Sequence, residues 1–118
     1  MIKITFFKHD DVLYGFRETG HAEYDDAGKD IVCAAVSSMT MLLINTLEVS
    51  FGIDVDYKID DATTDITVTV KTALPCVGAE EKRQYAACGV IQGYYLQLMD
   101  MIEDYYDYLD VSVEEVPV

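Results

Sequence analysis

Residues 20–38 read GHAEYDDAGKDIVCAAVSS and separate two kinds of sequence pattern. Apolar and polar residues alternate before this stretch, as they do in strands, whereas the residues after it favour a helix. Residues 20–28 are polar and aperiodic, which predicts a mobile surface loop. Asp30 stands where a helix N-cap would stand, so we predict a helix over residues 31–48 with Cys33 in its first turn.

Alternating residues elsewhere predict two β-hairpins. Residues 1–8 and 12–17 alternate on either side of the turn-forming residues 9–11, which predicts the first hairpin. Residues 49–60 show the clearest period of two in the chain, and residues 65–71 alternate after a short turn. These two segments predict a second hairpin of half-buried strands.

The remaining segments complete the predicted fold. A stripe near the helical period predicts a second helix over residues 80–109, and residues 111–116 alternate briefly and can add an edge strand. The order β-β-α-β-β-α predicts a single α+β domain, residues 1–118. It is a two-layer sandwich in which two helices cover an antiparallel sheet of two hairpins. The apolar stripe that we predict for the first helix consists of Ala35, Met39, Leu42, Leu43 and Thr46.

Composition and charge restrict the classes of partner. The chain has 118 residues, of which 51% are hydrophobic and 25% charged, as in ordinary globular proteins. Its net charge of −14 repels a phosphate backbone, so we predict no direct nucleic-acid binding. A basic peptide or protein would be attracted, although an acidic surface can also serve solubility alone.

Membrane and cysteine patterns favour a cytoplasmic protein. We predict no apolar segment of 18 residues that could span a bilayer, and no membrane partner. The three cysteines, Cys33, Cys76 and Cys88, are widely spaced, which predicts neither a disulfide framework nor a zinc site. We predict that Cys76 and Cys88 are packed thiols.

Cys33 and His21 are the residues that invite a chemical interpretation. A nucleophilic cysteine needs thiolate character, a base and amide donors for the developing oxyanion. A thiol in a first helical turn has the first and the last of these, and His21 supplies the base if the loop folds back. A structural cysteine beside a loop histidine stays an alternative. Metal binding by His21, Glu23 and Cys33 is disfavoured because no fourth ligand is suitably spaced.

The same stretch resembles a known family. Gly20-His21-Ala22, then Gly28, then DIVCAAVS at residues 30–37 is similar to the signature of the ribosomal-processing cysteine protease family called Prp. The resemblance extends over essentially the whole chain. It implies a small bacterial cysteine endopeptidase, typically a homodimer, that removes a short N-terminal extension from large-subunit ribosomal protein number twenty-seven.

The resemblance also implies roles for individual residues. Cys33 would be the nucleophile and His21 its general base. Asp30 and Ser37 match the family's other polar positions: Asp30 would cap the helix or orient His21, and Ser37 would hydrogen-bond the substrate or the thiol. Gly20 matches the flexible loop. We expect no cofactor and no metal.

Two further expectations concern the partner. The substrate implied by the resemblance is apolar and aromatic before the cut and basic after it, so an acidic enzyme would steer it. The loop of residues 23–29 would close over the bound peptide and lie away from Cys33 in the free protein. The alternative is a non-enzymatic acidic adaptor that binds basic ribosomal proteins, with Cys33 inert.

Overall fold

In the residues that the structure describes, the fold consists of five strands and two long helices. The computed structural model describes residues 1–20 and 27–118, with residues 27 and 28 described by their backbone only. In chain order the elements are β1 (Ile2–His9), β2 (Val12–Thr19), α1 (Ala27–Asn45) with a π-helical extension (Thr46–Ser50), β3 (Asp56–Ile59), β4 (Ile66–Thr69), two 3₁₀ turns (Lys71–Ala73 and Pro75–Val77), α2 (Glu81–Tyr105) and β5 (Leu109–Glu115). This order confirms the predicted α+β class.

The five strands form one sheet in the order β3-β4-β2-β1-β5. All neighbours are antiparallel except β1 and β5, which are parallel because the chain returns to the sheet through α2. The predicted edge strand is therefore present, and it makes the sheet mixed. Fully buried residues of the sheet pack with both helices in one hydrophobic core, and these include Ile2, Ile4, Phe6, Phe16 and Val68.

The turn of the first hairpin lies where the sequence predicts it. Asp10 and Asp11 have φ angles of 48° and 63°, and both residues therefore lie in the left-handed region. Two such residues give the turn whose twist matches that of the flanking strands, and aspartate tolerates this backbone. The Asp10-Asp11 pair thus sets the register next to the turn, where Lys8 pairs with Leu13, and a bulge between Phe7 and Lys8 shifts the rest of the hairpin by one residue.

The long strand predicted for residues 49–60 is wrong in its first half. Residues 46–50 continue the helix as a π-type turn, and Ile53 is buried with its amide bonded to the Leu47 carbonyl. Strand pairing begins only at Asp56, because its partner β4 ends at Thr69. All four residues of β3 are exposed, so this edge strand is not half-buried as predicted.

Helix α1 begins four residues earlier than predicted and buries a different face. Of the predicted stripe only Leu43 lies fully in the core, and Leu42 is 65% exposed. The apolar residues that α1 and its extension bury are Val32, Val36, Leu43, Ile44 and Leu47. No charged side chain occurs between Asp30 and Glu48, so the outward face of α1 is apolar as well.

One segment, Lys29–Ser50, has the length and mean hydropathy of a membrane-spanning helix, and the prediction that no such segment exists is wrong. Its mean hydropathy is 1.6, and 33% of it is buried. Its inward residues belong to the core that α1 shares with the sheet. Because a core helix meets the same criterion, composition alone does not assign this segment to a membrane.

Candidate active site

Cys33 lies on α1 at the edge of the buried face. It is the seventh residue of the helix, takes part in no disulfide and is half-buried. Its neighbours Val32 and Val36 are fully buried, and Cys33 itself packs against the core. The backbone that carries the sulfur is therefore held by the core, while part of the side chain faces solvent. Such a thiol can meet a substrate carbonyl without unpacking the helix.

The prediction that Asp30 is the N-cap of α1 is wrong. Because α1 begins at Ala27, Asp30 is an exposed fourth helical residue. The amides without an intrahelical acceptor belong to residues 27–30, and the dipole effect falls off beyond the first turn. Cys33 lies one turn deeper in the helix than predicted, beyond these first-turn amides. Its side chain leans towards the helix N-terminus, which keeps the first-turn amides on the side of the thiol.

Ser37 follows Cys33 by four residues. That spacing places the two side chains on one face of α1, separated by about 6 Å along the axis. Ser37 is half-buried like Cys33. A hydroxyl and a thiol are thus presented side by side, in agreement with the predicted common face.

The chain between β2 and α1 carries the other predicted site residues. His21 and residues 22–26, including Glu23, lie outside the described residues. The His21–Cys33 pair therefore stays a prediction. The closing of this loop over a bound peptide therefore also stays a prediction. The loop was predicted to extend to residue 29, but residues 27–29 already belong to α1 and Lys29 is buried.

Gly20 ends the described part before this loop. Its φ angle is 93°, and a Cβ atom placed there would lie 2.2 Å from the carbonyl oxygen of Met1. Both the left-handed backbone and the close contact require glycine. The chain that leads to His21 is thus fixed against the start of β1 up to this point.

A buried polar cluster was missed by the sequence analysis. Glu18 on β2 is fully buried, and its Oε1 accepts hydrogen bonds from the hydroxyls of Thr40 on α1 and Tyr94 on α2. Glu18 stands two residues after Phe16, at the next inward position of an alternating strand. An acidic residue at an inward-facing strand position is the sequence feature that could have indicated this cluster.

The other two cysteines are distinct from Cys33 in setting. Cys76 is exposed in the turn Pro75–Val77, so the prediction of a packed thiol is wrong there. Cys88 is half-buried and donates to the Ala73 carbonyl over 3.1 Å. Burial raises the pKa of the Cys88 thiol, which therefore stays protonated at neutral pH.

Metal ligands are not grouped in the described part of the chain. No three His, Cys, Asp or Glu side chains lie close enough there to hold an ion. His21 and Glu23, two of the ligands considered from the sequence, lie outside that part.

An apolar groove runs between the two helices. Its volume is about 240 Å³. Residues that line it include Met39, Leu42 and Leu43 from α1 and Val90, Gly93 and Tyr94 from α2. This groove is suited to apolar side chains of a partner rather than to a charged ligand.

Comparison with solved structures finds the same fold. The crystal structure of SMU.848 from Streptococcus mutans is 25% identical, with a TM-score of 0.80 over 98% of this chain and 96% of that one. The Staphylococcus aureus ribosomal processing protease Prp, in complex with a substrate peptide, is 18% identical, with a TM-score of 0.80 over 97% and 100% of the two chains. The same protease with a covalently linked product peptide gives 19% identity and a TM-score of 0.76, with the same coverage. No curated protein matches the chain.

The family comparison is more specific than the likeness of fold. The family model described as cysteine protease Prp matches residues 1–110. That range includes every strand and helix up to the start of β5 and all of the site residues predicted from the sequence. The chain therefore belongs to the cysteine protease Prp family.

Proposed function

We propose that this chain is a cysteine endopeptidase that removes the N-terminal extension of large-subunit ribosomal protein number twenty-seven. The observation that carries the proposal is the half-buried thiol of Cys33, which is in no disulfide and is presented on a helix that the core holds in place. Membership of a cysteine protease family supports a nucleophilic role for that thiol. The S. aureus relative, described as a ribosomal processing protease bound to a substrate peptide, supports the class of substrate.

The proposed reaction proceeds in two steps. His21 takes the proton of the Cys33 thiol, and the thiolate attacks the scissile carbonyl to form a C–S bond. The tetrahedral intermediate collapses, the peptide C–N bond breaks, and the leaving amine receives the proton from His21. Water, deprotonated by His21, then hydrolyses the thioester and restores the thiol. Asp30 and Ser37 are proposed to assist by orienting His21 and by hydrogen-bonding the substrate or thiol, respectively.

Charge contributes to substrate capture in this proposal. The net charge of −14 gives the protein a field that attracts the basic segment after the cut. Long-range attraction of this kind is screened over about 8 Å at physiological ionic strength. Three cysteines that form no disulfide also suit a reducing compartment, which is why we place the protein in the cytoplasm.

The proposal is tested with a peptide that spans an apolar, aromatic extension and a basic start. Mass spectrometry is expected to show a single cut by the wild-type protein, and none after alkylation with iodoacetamide. The Cys76→Ala variant serves as the control, since it removes the exposed thiol and is expected to cut normally. An intact peptide after incubation with folded, reduced protein would instead favour the adaptor.

We further propose that the protein forms a homodimer through the outward face of α1. Ile31, Met41 and Leu42 are 57%, 46% and 65% exposed on a helix segment that carries no charge. Two copies with a net charge of −14 each repel one another least where acids are absent. The groove beside Leu42 offers room for apolar side chains of the second copy.

Leu42→Glu is expected to convert the dimer to a monomer, because it places a charge in the proposed contact. Leu42 is exposed in the single chain, so the fold should be retained. Ile59→Glu is the matched control: Ile59 is 54% exposed on β3, outside the proposed contact. Sedimentation velocity of the wild type, Leu42→Glu and Ile59→Glu at equal concentration measures whether each protein is a dimer or a monomer. A dimeric Leu42→Glu variant would contradict this surface.

A further inference from the structure

Three polar side chains from three different elements meet in the core. Glu18 is 0% exposed, Thr40 1% and Tyr94 6%. Burial of a carboxylate is costly unless hydrogen bonds compensate for the lost water. The three residues therefore form a unit, which we call the Glu18 cluster.

The hydrogen bonds of the cluster are directed at one atom. The Tyr94 hydroxyl donates to Glu18 Oε1 over 2.6 Å, and the Thr40 hydroxyl donates to the same oxygen. The two hydroxyl oxygens are 2.9 Å apart. Burial, followed by the negative charge of Glu18, raises the pKa of Tyr94, so that its hydroxyl keeps the proton that it donates. Short bonds to a carboxylate are among the stronger hydrogen bonds in proteins.

Stability alone gives little reason for such a cluster. Apolar side chains of similar volume usually fill a core at least as well as buried polar groups do. The Tyr94 ring already packs on Phe16 and Phe6, with centroid distances of 5.0 and 5.9 Å. What the polar atoms add is a fixed geometry between a strand and two helices.

The position of the Glu18 cluster along the chain suggests a role for this fixed geometry between the strand and the helices. Glu18 precedes His21 by three residues, and Gly20 between them is held against Met1. Thr40 follows Cys33 by seven residues, which places it on the same side of α1 about 10 Å along the axis. The cluster thus joins the strand end that leads to the predicted base with the helix that carries the predicted nucleophile.

We propose that Glu18 is a positioning residue: held by Thr40 and Tyr94, it fixes the end of β2, from which His21 follows, relative to the Cys33 helix. This role rests on the proposed function of the His21–Cys33 pair. A base and a nucleophile must be aligned closely, and a misplacement of about 1 Å caused by a distant substitution can reduce the rate about 100-fold. Loss of a donor from Glu18 would allow the strand end to shift and would slow the chemical step.

The test uses Glu18→Gln and Tyr94→Phe, each made in the wild type and in the His21→Ala variant. Glu18→Gln removes the charge at nearly constant volume, and Tyr94→Phe removes only the hydroxyl and keeps the ring. Tyr95→Phe is the matched control, since Tyr95 also packs on Phe6, over 5.1 Å, but its hydroxyl lies outside the cluster. For every variant kcat and KM are measured on the peptide, and folding is checked by thermal unfolding.

We expect Glu18→Gln and Tyr94→Phe to lower kcat by about 10- to 100-fold with KM changed less than about twofold. In the His21→Ala background the same substitutions should cause no further loss, whereas a general weakening of the fold would lower activity in both backgrounds. Tyr95→Phe should match the wild type. If Glu18→Gln does not fold, the kcat of Tyr94→Phe alone tests the positioning role.

Equal losses in the two backgrounds, or an unchanged kcat in the folded variants, would overturn the positioning role and leave the protease function intact. Failure of the proposed function has a different signature. In that case the folded, reduced wild-type protein would leave the peptide intact, or His21→Ala would cleave it at the wild-type rate, and the role of Glu18 would fall with it.

Discussion

Replacing Cys33 by alanine is expected to reduce peptide cleavage by about 10⁴-fold or more while the fold is retained. The substitution removes a single sulfur atom, the one that would carry the acyl group in the proposed mechanism. Because Cys33 is only half-buried at the edge of the core, the free energy of unfolding should fall by about 1 kcal/mol or less. Cleavage is followed by mass spectrometry, and stability by thermal unfolding.

The controls separate chemistry from folding. Cys76→Ala removes an exposed thiol and should leave the rate unchanged. His21→Ala should lower the rate by a similar factor to Cys33→Ala, and the double variant should be no slower than Cys33→Ala, because residues that act as a unit are not additive. A folded Cys33→Ala variant that still cut at a hundredth of the wild-type rate would remove Cys33 from the mechanism.

The sheet was predictable where local signals agree with one another. In the first hairpin, alternation on both strands and two aspartates at the turn predict the hairpin correctly, although a bulge between Phe7 and Lys8 shifts the register of the strands by one residue. In residues 49–60 the alternation is just as regular, yet only Asp56–Ile59 pairs with β4. The length of a strand depends on its partner, and the pattern of one segment does not contain that information.

The helices show a second limit of prediction from the sequence. Periodicity selects an inward face only when the outward face is polar, and α1 is apolar on both sides. Leu42 was therefore predicted to be buried and is 65% exposed, whereas Val32 is fully buried. Asp30 illustrates the same limit at the helix start, because aspartate is favoured both as a cap and within the first turn.

The sequence indicates which residues could form the candidate site but says less about their geometry. Cys33 and Ser37 share a face because their spacing of four is a local property of any helix. The distance from Cys33 to His21 depends instead on how strand and helix are joined across the core. The Glu18 cluster is a contact of that long-range kind, because Tyr94 follows Glu18 at a sequence separation of 76.

Gly20→Ala is expected to lower the free energy of unfolding by roughly 2 to 5 kcal/mol, the largest stability effect that we expect from one methyl group here. Two causes act together. A φ angle of 93° is strained for alanine, and the new Cβ would lie 2.2 Å from the Met1 carbonyl oxygen, which is a backbone atom at the start of β1. The measurement is urea unfolding followed by circular dichroism.

Gly78→Ala separates the two causes. Gly78 has a similar φ angle of 76°, but nothing lies within 4 Å of its added Cβ, so only the backbone strain of about 1 to 2 kcal/mol should appear. The excess cost of Gly20→Ala over Gly78→Ala then measures the contact with Met1. Equal costs would mean that the end of β2 is not held there. Because His21 follows Gly20 directly, a large excess should be accompanied by slower cleavage in the molecules that remain folded.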